Sequence, residues 1–401
     1  MPNALLTLNA GSSSIKFALF EIDGRKTPIA IARGEIESVN QHPRFLVRDA
    51  EANTLVDRKW HGDADFDELL QVTIGWAEER LAGQRLVAVG HRIVHGGRDH
   101  VEPELVNSKL MKDLEGLMPL APLHQPHTLA PIRAVERLRG DLPQVVCFDT
   151  AFHDTMPDVA KRFALPREYE EAGIRRYGFH GLSYEYIASR LAENAPALAG
   201  GRVVVAHLGN GASLCALQAG RSVDTTMGFT ALDGLVMGTR CGALDPGVVL
   251  YLLGGRGMTQ DEVQDLLYRR SGLLGVSGGI ASDMRTLTTS SDPRAREAVD
   301  LFVFRAAKET AALASSLGGI DGLVFTAGIG EHSAEIRAAV IKRLEWLGAR
   351  LDADANQVGR TIISMPDSAF EIRVIPTDEE SVIARHTLDT VSQSPRGAMP
   401  D

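Results

Sequence analysis

Polar residues able to do chemistry recur in this 401-residue chain directly after apolar runs: Asn9 with Ser12, Ser13 and Ser14, then Arg92, His124, Asp149, His180, Asn210, Arg240 and Glu379. They comprise hard oxygen donors, two guanidinium forks and neutral hydrogen-bonding groups, a mixture that suits anions and magnesium better than a soft metal. Asp149 is the most telling, because an acid that follows the apolar stretch VVCF needs a partner or a ligand. Plain structural readings stand beside these. Arg92 in GHRIVHGG can be a surface-loop arginine, the glycines around Arg240 in MGTRCG suit either reading, and isolated histidines are commonly satisfied core or surface groups. Ser12 to Ser14 can simply form a hydrogen-bonded turn. The pairs His91/His95 and His124/His127 invite zinc, but no cysteine or carboxylate lies at ligand spacing near them.

Familiar phosphate machinery is missing. The dipeptide Gly-Lys never occurs, so there is no P-loop, and no G-x-G-x-x-G follows a strand. HRIVHGGRD only superficially suggests a protein-kinase catalytic loop, and no DFG accompanies it. If phosphate is handled, another architecture handles it.

The elements that must position these residues alternate between strand-like and helix-like periodicity, the mark of an α/β protein. Strand candidates end in glycine-rich corners: ALLTLNAGSSS, LVAVGHRIVHGG, VVCFDTAF, RVVVAHLGNGAS and LVFTAGIGE. In open α/β sheets ligands gather at the carboxyl ends of strands, so residues distant in sequence can converge there. Leu129, Ile132, Val135 and Leu138 predict a helix over 126–140, stopped by Gly140 and Pro143. Thr259 with Glu262 forms a capping box, and Ser333 is placed to cap a helix carrying Ile336, Val340 and Leu344. LLTLNAGSSSIKFALFEIDGR and VVVAHLGNGASLCALQAGR share one plan, strand, polar turn and second strand, with turns beginning at Asn9 and His207. That offset is close to half the chain and suggests duplicated halves, each opening with a hairpin whose backbone N–H groups can face phosphate.

Composition narrows the class. A chain of 44% hydrophobic and 23% charged residues with 39 glycines is globular, and its length suggests two or three domains. The net charge of −10, without a Lys/Arg run, argues against a nucleic-acid partner. Cys147, Cys215 and Cys241 are too scattered for a disulfide framework or structural zinc, which fits a reducing compartment. No apolar run suits a membrane span, and MPNALLTLNAG reads as no secretory leader, so a cytoplasmic location is expected.

NAGSSSIKF, GHRIVHGG, APLH, CFDTAFH, RRYGFHG, HLGNGAS, DTTMGFT, GLVMGTRCG, SGLLGVSGG, SDMR, FTAGIGE and VIPTDEE occur in the order seen in the acetate kinase family, which the chain resembles from residue 9 to residue 380. The resemblance implies the duplicated, ribonuclease H-like α/β fold of actin, sugar kinases and heat-shock ATPases. It implies two domains, 1–150 closed by a C-terminal helix at about 385–395 and a nucleotide-binding domain at 151–384, with the active site in the cleft between them and a disordered tail at 396–401. The implied activity is reversible phosphoryl transfer between ATP and acetate, giving acetyl phosphate and ADP, by a homodimer that depends on magnesium or manganese.

Position by position, the resemblance places Asn9 and Glu379 near the metal, and Arg92 and Arg240 around acetate and the moving phosphoryl group. His180 resembles the histidine that hydrogen-bonds that group, with His124 and Asn210 beside it; Asp149 matches the aspartate that orients Arg92 or the metal shell. Val94, Leu123, Phe179 and Ala231 match an apolar acetate pocket. Ser12, Lys16, His207, Gly209, Asn210, Gly211, Asp283, Met284, Arg285, Gly328 and Gly330 match nucleotide-binding positions. The chain departs from the usual pattern at Leu182, at Tyr184 where the family usually has histidine, at Ala231 where it usually has proline, and at Ala243, His332 and Asp378. A carboxylic acid is already ionised at pH 7, so Asp149 reads as an orienting group rather than a proton acceptor. Rival readings are a propionate or butyrate kinase, an actin-like nucleotide switch, which has no use for carboxylate-binding arginines, and a non-catalytic relative.

Overall fold

The apolar run near the start forms a strand buried on both faces, as the absence of polar alternation requires. It is β1 (Asn3–Ala10) of the computed structural model, which describes residues 3–11, 14–22, 27–39, 42–81, 85–121 and 124–393. Ser12, Leu123 and the expected tail 396–401 lie outside the described residues. The chain divides into two units, Met1–Ala151 with Asp378–Asp401, and Phe152–Thr377.

In the first unit β2 (Ser14–Ile22), β3 (Ile29–Glu37), β4 (Arg44–Asp49) and β5 (Thr54–Lys59) add to one side of β1 by antiparallel pairing. β6 (Arg85–Ile93) pairs parallel with β1, β8 (Gln144–Phe148) pairs parallel with β6, and the two-residue β7 (Glu104–Leu105) lies at the far edge. The edge strand β5 carries Asp57, Arg58 and Lys59, charges that discourage pairing with another chain. On one face, Phe17 and Phe45 stack at 5.4 Å beneath Trp76 of the helix Phe66–Arg80. On the other lies the terminal helix Glu379–Gln393. Gly90 of β6 permits its close approach: a Cβ there would sit 2.2 Å from Thr387 Oγ1 and 2.6 Å from Ile383 Cγ2.

The second unit repeats the plan. β9 (Arg202–Leu208), β10 (Ala212–Gln218) and β11 (Arg221–Thr225) are antiparallel neighbours, while β12 (Gly322–Thr326) and β13 (Glu371–Val374) continue in parallel, in the order β11-β10-β9-β12-β13. The order β3-β2-β1-β6-β8 of the first sheet is the same path, so β1 answers to β9 and β6 to β12. The sequence echo has a register counterpart: Asn9 pairs across the first hairpin with Lys16, and His207 across the second with Ser213. This is the duplicated α/β arrangement expected of the actin-like ATPase fold.

Local signals resolve as follows. The helix expected over 126–140 runs Gln125–Leu138, and the Thr259–Glu262 capping box is formed in both directions. Ser333 caps Ala334–Lys342, which buries Ile336 and Val340, whereas Leu344 lies beyond the helix end. The terminal helix needs correcting, because it starts at Glu379 rather than near 385. Asp378 accepts from Ser381 N at 3.1 Å and Ser381 Oγ at 2.6 Å, a side-chain cap, and Glu379 and Glu380 in the first turn favour the positive end of the helix dipole. Residues 378–384, assigned in the sequence reading to the second domain, therefore belong to the first unit.

Candidate functional site

Three adjacent parallel strands of the first unit end in polar residues. Asn9 lies next to last on β1 and Arg92 next to last on β6, and Asp149 follows β8, its N–H donating to Ile93 O at 2.9 Å. Arg92 grips Asp149 with two parallel hydrogen bonds, Nε to Oδ1 at 3.1 Å and Nη2 to Oδ2, and Nη1 donates to Asn9 Oδ1 at 3.3 Å. Asn9 Nδ2 donates to Glu379 Oε2 at 3.3 Å, and that oxygen lies 4.0 Å from Arg92 Nε. Gly90 thus has an indirect part in the site, since it admits the helix whose first residue is Glu379.

The electrostatics of this cluster follow from burial. Asp149 is 1% exposed; burial pushes its carboxyl above the ordinary range, and the Arg92 fork opposes that rise. Burial also pushes Glu379 up to about 7, opposed by Arg92 and reinforced by the negative charges of Asp149 and Glu380. Arg92 pays a desolvation penalty that these carboxylates more than offset, so its guanidinium stays charged. Asn9 Oδ1 and the Glu379 carboxylate are hard donors that suit magnesium or manganese, and a cation beside them would relieve the crowding of negative charge. Among the described residues no group of three or more His, Cys, Asp or Glu is arranged to hold a metal. Lys16 is exposed on β2 across from Asn9, Val94 is buried, and His124 sits at the start of the helix Gln125–Leu138.

The second unit assembles its own polar corner. His180 takes a left-handed backbone, φ 60°, between Gly178 and the helix Gly181–Asn194. Its Nδ1 is 2.8 Å from Ser213 Oγ, and its ring stacks on His207 at 4.1 Å. His207 Nδ1 is 2.9 Å from Ser183 Oγ, which is 2.9 Å from Thr377 Oγ1. A Cβ added at Gly211 would lie 2.8 Å from Arg240 Nη2 and 3.2 Å from His180 Nε2, so both groups border this glycine. Arg240 Nη1 donates to Ala231 O at 2.6 Å. Asn210 O accepts from Gly238 N, and its side chain lies against Gly238. Phe179 is buried, and its carbonyl lies 2.9 Å from His153 Nε2.

The proposed nucleotide positions are less closely gathered by side-chain contacts. Asp283 turns its carboxylate onto Thr286 N at 2.9 Å and caps the helix Met284–Thr289, in which Met284 is buried. Gly209 N donates to Gly211 O, closing the turn on itself. Gly328 and Gly330 lie in the helix Ala327–His332, whose last carbonyls, Gly330 O and Glu331 O, accept from buried Arg337. Sequence reasoning assigned no part to Ser213, Ser183, Thr377, Glu331 or Arg337. Glu331 Oε1 accepts from Ala327 N and Thr377 N, joining the GIGE and PTDEE strings, and the only signal in the sequence was that both residues lie in those strings. Among the departures, Asp378 receives a bidentate Arg33 pair as well as capping the last helix, and Leu182 is core.

Two buried histidines bear on stability. Burial lowers His91, paired with Gln144, and His153, paired with Ser222 and Phe179 O, to about 4 each. The unfolded chain takes up these protons near pH 6.5 while the folded chain refuses them, so stability is lost as pH falls from about 6.5 toward 4. The loss approaches ~3 kcal/mol per group at the low end. Melting temperature should therefore drop over that window, and His91→Gln should flatten the drop; an unchanged pH slope in that variant would contradict the assignment.

A profile of the acetokinase family matches residues 4–385. The acetate kinase of Rhodopseudomonas palustris is 55% identical over 390 residues, covering 96% of this chain and 98% of that protein. Among solved structures, a propionate kinase from Francisella tularensis superposes with a TM-score of 0.88 at 36% identity, covering 96% of this chain and 99% of that one. The acetate kinase of Porphyromonas gingivalis gives 0.84 at 34%, covering 97% and 100%. On sequence over nearly its whole length, and on the path of its two sheets, the chain belongs to the acetokinase family.

Proposed function

We propose that the chain is an acetate kinase, moving the γ-phosphoryl group of ATP reversibly onto acetate. The observation that carries this reading is the Arg92 guanidinium, held by a buried carboxylate at the end of a central parallel strand. Acetate arrives ionised, so no base is needed; the difficulty is bringing one anion up to another. A guanidinium in each unit, Arg92 and Arg240, is available to neutralise anionic oxygens, and the fork geometry suits planar carboxylate and phosphate groups. Asp149 orients Arg92. His180 donates to the phosphoryl oxygens, and Asn210 stands beside it. Asn9 and Glu379 would hold magnesium or manganese, which supplies positive charge to the phosphates when bound. The test is a hydroxylamine trap for acyl phosphate with ATP and acetate, propionate or butyrate offered separately. No trapped product with any of the three would overturn the reading.

Propionate remains a second reading because of Ala231, which stands where the family usually carries proline. The smaller side chain leaves room for roughly one or two methylenes, each worth ~0.8 kcal/mol when buried, or about fourfold in kcat/KM. Ala231→Pro should lower the propionate-to-acetate ratio of kcat/KM by that factor; an unchanged ratio would show that Ala231 does not set chain length.

A homodimer is part of the proposal. Leu250 and Tyr251 are 70% and 60% exposed, and Leu244, Val248 and Leu253 join them on one segment, an apolar concentration that a partner surface would cover. Sedimentation should give twice the chain mass, and Leu250→Asp with Tyr251→Asp should halve it. A wild-type monomer at micromolar concentration would exclude the dimer. No helix of the described residues is long and apolar enough to cross a membrane.

A further inference from the structure

Tyr184 is fully buried, stands where the family usually carries histidine, and aims its hydroxyl at the catalytic corner of the second unit. Its oxygen is 2.5 Å from Ser213 Oγ, and Ser213 Oγ is 2.8 Å from His180 Nδ1. The far nitrogen of His180, Nε2, is the one that borders Gly211 and Arg240. Three groups therefore form a line from the core to the polar corner: phenol, hydroxyl, imidazole.

The direction of the two hydrogen bonds is set by donor arithmetic. A serine hydroxyl has one proton, so it can donate to only one of its two neighbours. Among the described residues Ser213 Oγ is the partner of the Tyr184 hydroxyl, and burial holds that phenol protonated well above its ordinary range. If Ser213 gave its proton to Tyr184, the buried phenolic proton would be left without an acceptor, at the full desolvation cost of an unmade hydrogen bond. Tyr184 therefore donates to Ser213, and the buried Ser213 hydroxyl, whose other hydrogen-bond neighbour among the described residues is His180 Nδ1, must place its one proton there, so Nδ1 accepts. An imidazole that accepts at Nδ1 carries its proton on Nε2.

We infer that Tyr184 is a positioning residue which, through Ser213, fixes His180 in the Nε2–H form and so presents a donor rather than a lone pair to the phosphoryl oxygens. The catalytic consequence rests on the acetate kinase reading; the tautomer does not. The packing around the phenol fits a fixed ring: Tyr184 meets His207 edge to face at 6.4 Å and His153 at 5.6 Å, while His207 stacks on His180.

Nitrogen-15 spectra of the full-length protein, labelled in histidine and assigned with His180→Asn, read the tautomer directly without substrate. In the wild type the His180 Nε2 signal should be pyrrole-like and Nδ1 pyridine-like. Tyr184→Phe keeps the ring and removes only the hydroxyl; Ser213 is then free to turn, and the two signals should move toward a mixed population. Ser213→Ala should do the same, which keeps the test open if either variant folds poorly. In turnover, kcat should fall about 5- to 10-fold in both variants, the worth of one hydrogen bond, with KM for ATP little changed. An Nδ1–H ring in the wild type, or unshifted signals in Tyr184→Phe, would overturn the relay. Shifted signals with unchanged kcat would uphold the relay as structure and refute its part in turnover. If the hydroxylamine trap fails for every acid while the tautomer shifts as stated, the function has failed and the relay has not.

Discussion

Arg92→Ala should lower turnover by ~100-fold or more, the usual loss when a preorganised group facing transition-state charge is removed. The same substitution leaves Asp149 buried without its cation, which by itself costs several kcal/mol, so lost activity could reflect lost fold. The two causes separate in the double variant Arg92→Ala with Asp149→Ala. Removing both charges takes away the orphaned carboxylate, and melting temperature should recover much of what Arg92→Ala lost, while turnover stays down. Arg92→Lys keeps the charge but not the fork: one ammonium cannot make the two parallel bonds to Asp149 and still reach Asn9, so only part of the activity should return. The trap assay and a thermal melt on all three variants decide the matter. Wild-type turnover in a folded Arg92→Ala protein would remove Arg92 from the site.

The legibility of this cluster in the sequence has a physical basis. Asn9, Arg92 and Asp149 each follow an apolar run, and a buried parallel strand has only its ends at which to expose polar chemistry, so three such residues on neighbouring strands must meet. The duplication was readable for a similar reason: a strand, a tight polar turn and a second strand leave a repeated local signature at Asn9 and His207. What resisted reading depends on contacts between distant segments. Nothing in GASLC says that Ser213 will stand between a phenol and an imidazole, because its partners, Tyr184 and His180, lie about thirty residues earlier on another element. Gly90 in VAVGHR carries no signal of its own in the sequence, yet it lets Thr387 and Ile383 approach. The start of the last helix was misplaced because PTDEES reads as a polar loop until Asp378 is seen to cap it.

Arg240→Ala should also depress turnover by ~100-fold, but for a reason the lysine variant can resolve. Arg240 does two things at once: Nη1 donates to Ala231 O at 2.6 Å, and Nη2 borders Gly211 beside His180 Nε2. A planar guanidinium can hold a carbonyl with one edge and face an anion with the other, whereas a lysine ammonium is a single point on a flexible stem. Arg240→Lys should therefore regain part of kcat, because positive charge returns. It should also raise KM for the carboxylate, because the segment carrying Ala231 loses its tether, and so narrow the difference between acetate and propionate. Arg240→Ala loses both functions, yet should keep most of its melting temperature, since the arginine is only partly buried and the carbonyl it leaves can bind water. The decisive comparison is kcat and KM for both acids in wild type, Arg240→Lys and Arg240→Ala. A lysine variant whose KM for both acids is unchanged while kcat is low would show that Arg240 serves charge alone and that Ala231 is held by something else; wild-type kcat in Arg240→Ala would remove the residue from the chemistry altogether.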